Sequence, residues 1–73
     1  MKAILYEGQK HTTNEIQRIL GYNHSFLYRI IGNEKKIRCI DIDILKDMAS
    51  LEGLEPEELR GKMLEQARKN REE

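Results

Sequence analysis

One cysteine, one proline, no tryptophan, no valine and no net charge distinguish this 73-residue chain. Cys39 alone closes no internal disulfide, and His11 and His24 fit no zinc-ligand spacing, so neither a disulfide staple nor a metal centre is expected. The opening residues hold an apolar stretch of only four, residues 3–6, with Glu7 next, which matches neither a signal peptide nor a membrane span. The expected location is cytoplasmic, with no membrane partner. No nucleophile and base, glycine-rich phosphate loop or metal cluster stands at useful spacing, so the chain reads as no enzyme, with no cofactor and no small-molecule substrate. Thirteen Lys and Arg balance thirteen Asp and Glu, which at first argues against nucleic acid as a partner.

What the chain has is aliphatic: eight Leu and nine Ile. That supports one core, because a domain this size buries only about 60% of its unfolded surface. No repeat or low-complexity linker divides it, and a single domain over residues 1–73 is expected. Only the charged final stretch, ARKNREE, is expected to fray.

The strongest local signal is Thr12-Thr13-Asn14-Glu15. A Thr12 hydroxyl accepting from the Glu15 amide, with the Glu15 carboxylate returning to the Thr12 amide, is a capping box. It predicts a helix over about residues 12–20, with Ile16, Ile19 and Leu20 at helical spacing and Gly21 as a left-handed stop. Asn23 then reads as the cap of a second helix over about residues 24–31, with Tyr22 stapled on Leu27 and Ile30 inward. At about 100° per residue its outward face carries Ser25, Tyr28 and Arg29, flanked by His24 and Phe26.

Residues 34–40 show no helical stripe and read as a basic connection with a short extended piece. Asp41 caps the next helix, whose stripe is Ile42, Leu45, Met48 and Ala49 and whose stop is Gly53. Pro56 suits the first position of a last helix, preceded by Leu54 as a staple for Leu59. Residues 2–7 are compatible with a helical turn or with a strand pairing with residues 37–40. The fold class read from this pattern is all-α, with four to five helices.

Two short helices joined by a glycine turn, the second with a polar outer face, outline a helix-turn-helix. Residues 12–21, Thr12-Thr13-Asn14-Glu15-Ile16-Gln17-Arg18-Ile19-Leu20-Gly21, resemble the first half of that motif in the Xre/Cro-type, lambda-repressor-like regulators. Residues 22–30 are similar to the recognition helix of that family, and LKDMASLEGLEPEEL, residues 45–59, to its closing pattern. The resemblance covers roughly residues 12–60 and rests on the joint spacing of Glu15, Gly21, Leu27, Arg29, Ala49, Gly53 and Leu59. It departs from the family in the leading element, interrupted by Gly8, and at Ile31, where a polar residue is usual.

The resemblance implies a lambda-repressor-like domain binding double-stranded DNA in a sequence-specific way, a bacterial or phage transcription regulator, typically a repressor. It implies a homodimer on a palindromic operator, with half-sites about one DNA turn, or a multiple of that, apart. By position it assigns base contacts to His24, Ser25, Phe26 and Arg29, and backbone contacts to Thr13, Asn23 and Tyr28. Side-chain chemistry agrees, since Arg pairs bidentately with guanine and Phe meets a thymine methyl. Lys35, Lys36 and Arg38 add phosphate contacts. The stripe Leu59, Met63, Leu64 and Ala67 is core at its start and extends into an expected dimer seam.

The zero charge is also divided. Residues 1–40 carry seven Lys and Arg against three Asp and Glu, and residues 41–73 six against ten, so a surplus of four positive charges faces a surplus of four negative ones. An alternative from another class is a protein-interaction module, an antirepressor, adaptor or antitoxin, using the Phe26 and Tyr28 face or the last helix to bind a protein partner.

Overall fold

Short polar side chains, rather than long apolar runs, decide where three of the helices of this chain begin. The computed structural model describes residues 4–72: α1 (Thr13–Leu20), α2 (Phe26–Ile30), α3 (Glu34–Arg38), α4 (Ile42–Glu52) and α5 (Pro56–Glu72). It is a small all-α domain, with no strand among the described residues. Thr12 caps α1 with the full capping box, Glu15 N donating to Thr12 Oγ1 at 3.1 Å and Thr12 N to Glu15 Oε1 at 3.2 Å. Asn33 accepts from Lys36 N to cap α3, and Asp41 from Asp43 N to cap α4. Gly21 (φ 75°) and Gly53 (φ 73°) end α1 and α4 in the left-handed region, where a Cβ is disfavoured.

The long α5 packs across α4 and α3, while α1 packs on α2 and α4. Ile16, Leu27, Ile37, Leu45, Met48, Leu59 and Met63 fill the centre, joined by Leu5, Tyr6 and Ala67. Because α2 and α3 have five residues each, their order comes from this packing and not from helix propensity.

Several expectations are corrected. Residues 34–38 form α3, not a connection; a single inward residue, Ile37, buries the helix and leaves no stripe to see. The described part of the N-terminal element is neither helix nor strand but bends and a turn, so nothing pairs with residues 37–40; Lys2 and Ala3 lie outside the described residues. On α1 the inward side carries Thr13, Ile16 and Gln17, which puts Ile19 on the outer flank, 55% exposed. Ile42 is 46% exposed, and the inward positions of α4 begin at Leu45. Tyr22 packs against the core cluster that contains Leu27 and also stacks at a tilt on Phe26, with centroids 5.1 Å apart. The final stretch stays helical to Glu72, with Ala67 and Asn70 buried and Arg68 and Arg71 both on the Glu34 carboxylate.

Residues 5–12 have no helical ladder, and two side chains hold them. Gln9 Oε1 accepts from Leu5 N at 2.8 Å, and its Nε2 donates to His11 O at 2.7 Å. Glu52, 2% exposed at the end of α4, accepts from the Tyr6 hydroxyl, from Lys10 N at 2.6 Å and from His11 N at 3.0 Å, and its Oε2 lies 2.8 Å from His11 Nδ1. Burial alone would raise the Glu52 pKa, but these donors outweigh it and hold the carboxyl below its ordinary value. The Tyr6 phenol is pushed well above its usual range, first by burial and then by Glu52.

The lowered pKa fixes the sign of an acid effect. Stability from Glu52 is complete above the unfolded-state value of about 4.3 and is lost as pH falls through the lower folded-state value. Glu52→Gln places an amide NH₂ among donors, so urea unfolding at pH 7 is expected to show a loss of about 3 kcal/mol. The variant should also lose part of the acid dependence below about pH 4.3; an unchanged acid limb in urea titrations would contradict this role.

Candidate nucleic-acid interface

The α1–turn–α2 unit is set by one buried side chain. Gln17, 2% exposed, donates from Nε2 to His24 O at 2.7 Å and accepts at Oε1 from Leu27 N at 2.8 Å. In a helix starting earlier, the His24 carbonyl would accept from the Tyr28 amide and the Leu27 amide would donate to the Asn23 carbonyl. Gln17 takes both groups, which is why α2 begins at Phe26 and not at residue 24. Asn23 accordingly does not act as the N-cap. Its Oδ1 accepts from Ser25 N at 3.0 Å and from Ser25 Oγ at 2.9 Å, folding residues 23–25 into an Asx turn.

Around this unit, His24, Arg29 and Tyr28 are exposed, and Ser25 is half-buried. Tyr28 OH donates to Asn14 Oδ1 at 3.0 Å, tying the outer face of α2 to the start of α1. Phe26 is half-buried, and with Ile30, Cys39, Ile40 and Ile44 it lines an apolar groove of about 270 Å³ that Lys36 and Asp41 also border. Thr13 is 3% exposed, its hydroxyl oxygen accepting from Gln9 Nε2 at 3.5 Å, and it lines a groove of about 360 Å³ with Thr12, Asn14 and Tyr28. Lys35, Lys36 and Arg38 stand exposed on α3. Leu59, Met63 and Ala67, expected to reach a second copy, are buried within this chain's own core, with Leu64 half-buried.

Ion pairing deepens the charge division. Every acid among residues 4–40 is engaged: Glu7 with Lys69 at 3.9 Å, Glu15 in the α1 cap, and Glu34 with Arg68 at 3.5 Å and with Arg71. Three cations of α5 thus neutralise acids of the basic half, and Lys62 lies 5.7 Å from the Tyr6 ring centroid. Among the described residues, Arg18, Arg29, Lys35, Lys36 and Arg38 form no salt bridge. The segment from α1 to α3 therefore carries an exposed positive charge that its own carboxylates do not offset.

Two residues of this surface escaped the sequence reading. Asn14 and Arg18 line a groove of about 280 Å³ with Gln17, Tyr22 and His24. Both lie two positions from Ile16, about 200° around the helix, so a wheel drawn for α1 finds them. Gln17 itself left no signal, because a glutamine inside a helical stripe looks like a surface residue.

Among the described residues no cluster of three or more His, Cys, Asp or Glu is placed to hold a metal ion, and no helix is long and apolar enough to cross a membrane. Comparison with protein-family models, curated proteins and solved structures finds no match.

Glu34 supplies a test of the ion-pair arrangement. Both arginines on it are more than half exposed, so Glu34→Gln is expected to cost no more than about 1 kcal/mol in thermal unfolding. A loss above about 3 kcal/mol would mean that α5 depends on this carboxylate far beyond a surface pair.

Proposed function

We propose that this protein is a sequence-specific double-stranded DNA-binding domain of a transcription regulator, laying the outer face of α2 in the major groove. The observation that carries the reading is the exposed positive charge of Arg18, Arg29, Lys35, Lys36 and Arg38, none of them in a salt bridge among the described residues, around a helix-turn-helix whose turn is fixed by Gln17. The pattern resembling the lambda-repressor-like regulators at residues 12–60 supports it independently. In this reading Arg29 and His24 meet base edges, with Ser25 at the turn. Lys35, Lys36 and Arg38 meet phosphates, joined by Arg18 and by Asn14 beside Tyr28. Two copies on a palindrome remain part of the proposal, with their contact outside the buried α5 stripe.

A protein-interaction module is the second reading, and one observation favours it. The apolar groove beside Phe26 lies next to the proposed reading face and suits a hydrophobic partner side chain.

Titration of random-sequence DNA at two salt concentrations separates the two. Contacts to several phosphates make affinity fall steeply between about 50 and 200 mM salt, whereas absence of binding at the lower salt would reject the DNA reading. On a selected site, Arg29→Ala is expected to cost about 1–3 kcal/mol and to relax preference at one base pair. Lys36→Ala should weaken all sequences alike and reduce the salt slope by about one. Equal losses on selected and random DNA for both variants would remove the base-reading role from Arg29.

A further inference from the structure

We propose that Gln17 is a positioning residue that sets where the reading helix begins and, through that start, which bases His24 and Ser25 meet. This rests on the DNA reading above. Its structural half stands on the geometry alone: a nine-tenths-buried amide occupies one acceptor and one donor that an α-helix reaching back to residue 24 would need. Ser25, at φ −108° and ψ 1°, lies outside the helical well, and its hydroxyl is held by Asn23. With Phe26 N donating to Asn23 O at 2.9 Å in a turn, the present start therefore aims Ser25, and the chain leading into it, differently from a helix that includes it, in which successive side chains turn by about 100°. Neither His24 nor Ser25 is buried, so re-aiming them alters the surface without opening the core.

Removing the Gln17 amide leaves the His24 carbonyl and the Leu27 amide without their partner. The nearest repair within the chain is the pair of helical bonds, Leu27 N–H to Asn23 O and Tyr28 N–H to His24 O, which lengthens α2 toward residue 24. Gln17 acts on DNA only through the residues it positions, since both of its polar ends are spent inside the fold. A purely structural glutamine would, on substitution, lower stability and weaken all DNA alike.

The experiment compares the full chain with Gln17→Met, which keeps the volume and removes both hydrogen bonds. Cα chemical shifts report the backbone at residues 24 and 25, and selection from a random duplex library reports base preference. The expected result is a move of the Ser25 shift to a helical value, together with a change of about fivefold or more in preference at one or two base pairs. An unchanged Ser25 shift overturns the proposal. A helical shift with an unchanged preference and a uniform loss of affinity overturns its second half. If wild-type protein selects no DNA, the DNA reading falls and that half with it, while the shift still decides the helix start. Should Gln17→Met fail to fold, Gln17→Glu keeps an acceptor for the Leu27 amide, loses only the donor to His24, and carries the same two measurements.

Discussion

The placement of α2 depends on an amide borrowed from another helix. Gln17 lies in α1, yet it completes the backbone hydrogen bonding at the start of α2, where the first amides of a helix have no partner within it. A five-residue helix cannot meet that need from its own ladder, so α1 supplies the missing acceptor and simultaneously occupies the carbonyl of His24. Glu52 plays the corresponding part for Lys10 and His11, whose backbone amides would otherwise meet the end of α4 unpaired. In both places one buried side chain with several partners replaces regular secondary structure. That economy carries a risk, because loss of either group leaves several buried polar atoms unsatisfied at once.

Charge is organised on a larger scale. The contacts from α5 to Glu34 and Glu7 serve stability only modestly, as exposed pairs do. Their larger effect is electrostatic: cations from the acidic half cover the acids of the basic half, leaving Arg18, Arg29 and the α3 cations to define the local field. A formal charge of zero is therefore a poor guide to the potential near α1, α2 and α3. The proposed DNA contact draws on that local field.

Signals confined to a few neighbouring residues were legible from the sequence. Thr12 with Glu15, Asp41, Pro56 and the glycines at 21 and 53 mark five helix ends correctly because caps act within one turn. The start of α2 was not legible, since Gln17 lies seven and ten residues from the groups it binds. The role of Glu52 was hidden further, its partners being 41 to 46 residues away in sequence. Helix α3 escaped notice because five residues with one inward isoleucine hold too few positions for a period to emerge. For the candidate site, Arg29, His24, Lys35, Lys36 and Arg38 stand exposed, while Thr13 is turned inward, because the inward side of α1 includes two polar positions, Thr13 and Gln17.

The brevity of α2 and α3 also bears on motion. Helices of five residues contain barely a turn and a half, so their amides owe their protection to Leu27, Ile30 and Ile37 in the core. Partial opening then has a natural boundary: α4 and α5 hold a longer ladder and most of the central side chains, and α2 with α3 forms the cheaper cooperative unit. Hydrogen exchange is accordingly expected to be graded, with α2 and α3 opening at lower free energy than α4 and α5. Any partner that settles on α2 and α3 meets the least rigid part of the domain, and part of its binding free energy goes into stilling it.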